Sequence, residues 1–85
     1  MRIFLQQPPA AGEPIRYLKL TLEKDLLGSW WLHRESGQVG GRASTKREVY
    51  PGQTEALAAF EAARDAQLKR GFRITFSEGA EAPRR

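Results

Sequence analysis

Eighty-five residues suffice for one domain and not for two. A chain that is 40% hydrophobic and 28% charged has the balance of a folded domain rather than a disordered one. The absence of cysteine excludes disulfides and thiolate metal sites, so one packed core must supply the stability. Fourteen Lys and Arg against ten Asp and Glu leave a net charge of +4, which favours polyanionic partners such as nucleic acid. The acids are spread along the chain, so the excess forms no basic block.

In chain order, residues 2–7 read as a short strand stopped by Pro8-Pro9. The apolar stretch at the start is too short for a signal peptide, and no run approaches the roughly 18 apolar residues of a membrane span. The expectation is therefore a cytoplasmic protein with no membrane partner. Residues 8–14, with three prolines beyond residue 7 and Gly12, form a loop without periodicity. From Arg16 to Glu23 the chain alternates: Leu18, Leu20 and Leu22 on one face, Lys19, Thr21 and Glu23 on the other. That period of two belongs to a half-buried antiparallel strand.

Asp25 to Gly28 connects to a third strand over residues 29–35, rich in aromatic side chains that suit a pleated surface. Gly37, Gly40 and Gly41 crowd the next turn, implying positive φ or close backbone approach, as a bulged hairpin requires. Residues 45–50 form a polar fourth strand closed by Pro51-Gly52. A helix is expected over 53–70, with Thr54 as its cap, Glu55 suited to the dipole, and a stripe of Ala56, Leu57, Phe60, Ala63 and Leu68. Lys69-Arg70 suit its carboxyl end and Gly71 terminates it. Residues 72–76 alternate as a last strand, and 77–85 form a polar tail expected to be disordered. The fold class is α+β: an antiparallel sheet of about five strands with one helix on its apolar face, a single domain over residues 1–85.

No catalytic constellation forms. His33 is the single histidine, beside two tryptophans, and Glu23 with Asp25 is a solvated corner. Gly37 to Arg42 lacks the phosphate-loop pattern and precedes a strand where such a loop would open a helix. The expectation is no enzyme, no cofactor, no metal and no small-molecule substrate. The basic cluster is the better lead. Arg42, Lys46 and Arg47 lie in and after the glycine turn, with Trp30-Trp31 on the preceding strand. Cations neutralise phosphates and an exposed ring can stack on a base. Neighbours on a strand point to opposite faces, so one tryptophan belongs to the core. The other is a stacking surface or packs against the 8–14 loop.

The order Leu27-Gly28, Trp30, Leu32, Arg34-Glu35, then Gly37, Val39-Gly40 and a polar strand ending in an aromatic resembles the WGR domain. The helix that opens with Thr54-Glu55-Ala56 and ends in Lys69-Arg70-Gly71-Phe72 is also similar, so the likeness runs from Arg16 to Phe76. The N-terminal strand and Pro-rich loop are like small stand-alone bacterial members. The resemblance implies a compact antiparallel sheet with one helix and a role in binding nucleic acid; in DNA-dependent poly(ADP-ribose) polymerases this module grips DNA near a strand break. The name-giving Trp-Gly-Arg falls on Ser36-Gly37-Gln38. Ser36 offers no stacking surface, and Gln38 can hydrogen-bond a phosphate without adding charge. The motif turn is thus Ser36, Gly37, Gly40 and Gly41, with Trp31 and Arg42 as partial substitutes for the lost pair.

Two functions follow as expectations. The first is a nucleic-acid-binding module for DNA, at strand ends or nicks, or for RNA, using Trp31, Gln38, Arg42, Lys46 and Arg47 on one surface. The second is a protein-interaction module on the same scaffold, marked by an exposed apolar patch or a free sheet edge that meets another chain or a second copy.

Overall fold

The computed structural model describes residues 1–79. Its elements are β1 (Arg2–Gln6), β2 (Arg16–Lys24), β3 (Trp30–Gln38), β4 (Ala43–Tyr50), α1 (Gln53–Lys69) and β5 (Arg73–Glu78). The strands form one antiparallel sheet in the order β4-β3-β2-β1-β5. With α1 against one face, this is the expected α+β architecture.

The alternation in β2 builds the core. Its register sets Leu18 opposite Leu5, Leu20 opposite Ile3 and Leu22 opposite Leu32, so six aliphatic side chains meet on one face. Ala56, Phe60 and Ala63 of α1 lie at helical spacing and are buried against them, with Phe72 following. The two alanines let the helix approach closely while Phe60 fills the centre. Each fully buried leucine contributes about 1.5–3 kcal/mol relative to exposure. Trp30, Tyr50 and Leu57 pack at the margin of this core. Trp30 is therefore the core-side tryptophan and Trp31 faces away.

Four local expectations change. The helix is capped by Gly52 in extended backbone with no side-chain hydrogen bond. Thr54 lies inside the first turn, where its hydroxyl is past the capping position. Leu68 is exposed, because at about 100° per residue it stands some 80° around from Phe60. The segment Ser36–Gln38 stays within β3, so the turn itself begins later. The last strand continues through Ser77 and Glu78, held by pairing to Ile3 and Arg2; the remaining tail expectation, over 80–85, lies outside the described residues. The helix end is as expected. Gly71 has φ 94°, its N–H bonds to Leu68 and that of Phe72 to Gln67, each at 3.0 Å, the paired bonds of a Schellman motif.

Candidate nucleic-acid interface

The β3–β4 hairpin positions most of the expected site residues. Gly37 pairs with Tyr17 on one side and Ala43 on the other. A Cβ at this position would overlap the Arg42 carbonyl oxygen, so close approach of the neighbouring backbone requires glycine here. At the tip, Gly40 has φ 80°, and the Gly41 N–H donates to the Gln38 carbonyl at 2.8 Å. Val39 donates to the Ile15 carbonyl at 2.8 Å, which ties the hairpin tip to the start of β2. The two roles expected of the glycines are thus divided between Gly37 and Gly40.

The expected binding residues do not share one surface. Trp30, Leu32, Arg34 and Ser36 point toward the helix side, and strand alternation sends Trp31, His33 and Glu35 to the other. Register places Lys46 opposite Arg34 and Ser44 opposite Ser36, hence on the helix side. Arg47 lies opposite His33 and Val49 opposite Trp31, on the open side. Lys46 and Gln38 therefore belong to one face and Trp31 and Arg47 to the other, with Arg42 at the tip. Adjacent residues in a strand cannot do otherwise.

The open face is a network of paired groups. Trp31 stacks on His33 with ring centroids 6.5 Å apart and Arg47 lies 6.0 Å from the Trp31 ring. The Trp31 indole N–H donates to Asp25 Oδ2 at 2.8 Å. That bond, with backbone N–H groups of Ser29, Leu27 and Gly28 and against a burial cost, holds the Asp25 carboxyl below its ordinary range. The Tyr17 hydroxyl donates to Glu35 at 2.7 Å, which raises the phenol's pKa. Farther along, Lys19 lies over Phe4, and Arg2 over Phe76 while paired with Glu78. Four cations (Arg2, Lys19, Arg47, Arg73) thus share this side with four carboxylates (Glu23, Asp25, Glu35, Glu78).

The helix side differs. Between the C-terminal half of α1 and the hairpin end of the sheet lies a cleft of about 690 Å³. Arg16, Arg34, Lys46 and Arg70 line it, together with the hydroxyls of Ser36 and Ser44. Leu18, Ala63 and Phe72 supply apolar wall, and no carboxylate among the described residues belongs to the lining. Arg34 Nη2 donates to Glu48 Oε1 at 3.1 Å, and the Tyr50 hydroxyl donates to the same oxygen at 2.8 Å. The Tyr50 bond first, then Arg34 and more distantly Lys46, hold Glu48 below the usual carboxylate range against a desolvation cost. Glu48 in turn raises the Tyr50 phenol. Arg34 Nε is buried with no acceptor; leaving such a donor unmet costs about 1–3 kcal/mol. Among the described residues, Arg16, Lys46 and Arg70 have no carboxylate within 4.0 Å.

Of the expected residues, Ser36, Gly37 and Lys46 line this cleft, while Gln38 and Arg42 stand beside it at the hairpin end, where the Gln38 N–H meets the Arg42 carbonyl at 3.4 Å. Trp31 and Arg47 are absent from it. Sequence reasoning missed Arg16, Arg34 and Arg70. For Arg34 a signal existed: it continues the inward alternation of Trp30 and Leu32 and pairs with core Leu20, an odd place for a cation. Among the described residues no helix is long and apolar enough to cross a membrane. Fold and site define a small α+β domain with a cation-lined cleft between helix and sheet. No model of a known protein family, no curated protein and no solved structure matches the chain.

Proposed function

We propose that this chain is a non-catalytic, cytoplasmic nucleic-acid-binding module on a WGR-like scaffold, taking backbone phosphates at the cleft between α1 and the β3–β4 hairpin. One observation carries the reading. Arg16, Lys46 and Arg70, without carboxylate partners among the described residues, converge with Arg34 on a cleft whose described lining holds no acid. Unpaired cations release counterions when they neutralise phosphates, so affinity falls steeply with salt. On the open face cations and carboxylates balance, so it offers no such field. Gln38 and Arg42 extend the basic end with one hydrogen-bonding group and one charge.

The test is a titration with nicked, blunt-ended and single-stranded DNA at about 50 mM and about 200 mM salt, a range over which several phosphate contacts change affinity by orders of magnitude. The expected result is salt-sensitive binding that weakens in a Lys46→Gln, Arg70→Gln double variant. Absence of binding to every probe at the lower salt sinks the proposal.

A second reading, a protein-interaction module, is favoured by the β2–β3 turn. Leu26 and Leu27 are 103% and 92% exposed on a turn that Asp25 fixes through bonds from the Leu27 and Ser29 N–H groups, both 2.9 Å. Two aliphatic side chains held outward on a rigid turn suit an apolar pocket in another chain. Under this reading Leu26→Ser with Leu27→Ser abolishes co-sedimentation with a protein partner and leaves DNA titrations unchanged.

A further inference from the structure

We infer that the cleft selects single-stranded nucleic acid over duplex, with Arg34 gripping one inserted phosphate; this rests on the reading that the cleft takes nucleic-acid phosphates. Arg34 sits on β3, an inner strand of the sheet, with a side chain only 33% exposed. It lies on the face that α1 covers, and the cleft's other wall is Ala63, Ala66 and Gln67 of that helix. A phosphate reaches Arg34 by passing between helix and sheet. The backbone of a duplex is held on a stiff cylinder by its paired strand and cannot follow. A single strand bends, and its unstacked bases are free to splay.

The chemistry of the cleft matches such a segment. Its volume of about 690 Å³ lies within the range of about 300–1,000 Å³ typical of small-ligand sites, so it accepts a nucleotide unit and not only a phosphate. Small side chains at Ser36, Ser44, Ala63 and Ala66 keep it open. Leu18 and Phe72 give a sugar or base an apolar surface, while Ser36, Ser44 and Gln67 offer neutral hydrogen bonds. Arg34 is oriented before any ligand arrives, because Glu48 holds Nη2 and is itself held by Tyr50. Its Nε is closed off from solvent, so a phosphate meets the part of the guanidinium that the side chain's partial exposure leaves open. A phosphate oxygen is an acceptor of the right charge, and the guanidinium fork binds it directionally.

The experiment is fluorescence anisotropy with a labelled mixed-sequence single strand of about 12 nucleotides and its blunt duplex, a length within the usual site size of single-strand binders. At about 50 mM salt, where phosphate contacts are weakly screened, the single strand is expected to bind at least about tenfold more tightly. Arg34→Lys keeps the charge but loses the fork, and lowers single-strand affinity roughly tenfold. Lys19→Gln, on the open face, leaves it within about twofold because a remote charge acts only through screened solvent. Ala66→Trp fills the cleft from an exposed helix position without removing charge or core, so it keeps the test valid if Arg34→Lys does not fold. It is expected to weaken single-strand binding at least about fivefold by excluding the ligand. Equal or tighter duplex binding, or unchanged single-strand affinity in Ala66→Trp, overturns the selection for single strands and leaves the broader proposal standing. No binding of either probe overturns both.

Discussion

The two faces of the sheet are built from the same strands by opposite means. On the helix side, apolar side chains are buried over the middle of the sheet, and beyond them Arg16, Lys46 and Arg70, without carboxylate partners among the described residues, meet the Arg34–Glu48 pair at a cleft. On the open side, every carboxylate is engaged by an indole, a phenol, a histidine or an arginine, and cations lie over aromatic rings. The first face concentrates charge that its own structure leaves unanswered. The second answers its charges internally. Net charge belongs to the whole chain, but a cation-lined cleft with no carboxylate among the described residues of its lining belongs to one face.

The sharpest way to break this comparison is a pair of substitutions on neighbouring residues of β2. Leu20→Ala removes a fully buried side chain and is expected to cost about 2–5 kcal/mol in a denaturant titration. Thr21→Ala, one residue along on the open face, is expected to cost less than about 1 kcal/mol, the span of strand preference. Similar losses would mean that the open face is also covered.

A smaller effect separates the glycines of the hairpin. Gly37→Ala forces a methyl group into the Arg42 carbonyl and is expected to destabilise by about 1–3 kcal/mol, as overpacking does. Gly41→Ala meets only ordinary contacts near Gln38 at 3.4 Å or more and is expected to change thermal stability little.

The charges themselves separate the faces with little change in stability. Lys46→Gln is expected to reduce the slope of log affinity against log salt by about one, as one lost phosphate contact does. Arg47→Gln, its neighbour in sequence, is expected to leave the slope unaltered. A reversal of these two outcomes would move the binding surface to the open face.

The least effect is a pH dependence on the open face. Asp25 is held below its ordinary value by the Trp31 indole and neighbouring amides. The stability it contributes is therefore present above the unfolded carboxyl value of about 3.9 and is lost as pH falls through the lower folded value. Asp25→Asn is expected to flatten the acid limb of a stability–pH curve in that window and to leave the neutral region's slope unchanged.

Much of this architecture was legible in the chain. Leu18, Leu20 and Leu22 announce a half-buried strand, and Ala56, Phe60 and Ala63 announce the helix that covers it, because both patterns follow from backbone periodicity alone. Gly71 marks its helix end for a similarly local reason. The cleft was less legible. Lys46 and Arg47 are consecutive, and only alternation carried across the β3–β4 register separates them. Arg16, Arg34 and Arg70 come from three elements distant in sequence, and nothing local says that they converge.

The sequence by itself determined the alternation of β2, the helical spacing of Ala56, Phe60 and Ala63, and the need for glycine near residues 37–41, since these depend on neighbours along the chain. Tertiary structure alone decided which face each cation occupies, that Trp31 is tied to Asp25, and that Arg16, Lys46 and Arg70 gather where Arg34 pairs with Glu48. Those outcomes depend on strand register and on where the helix lies across the sheet, and both are set by long-range packing.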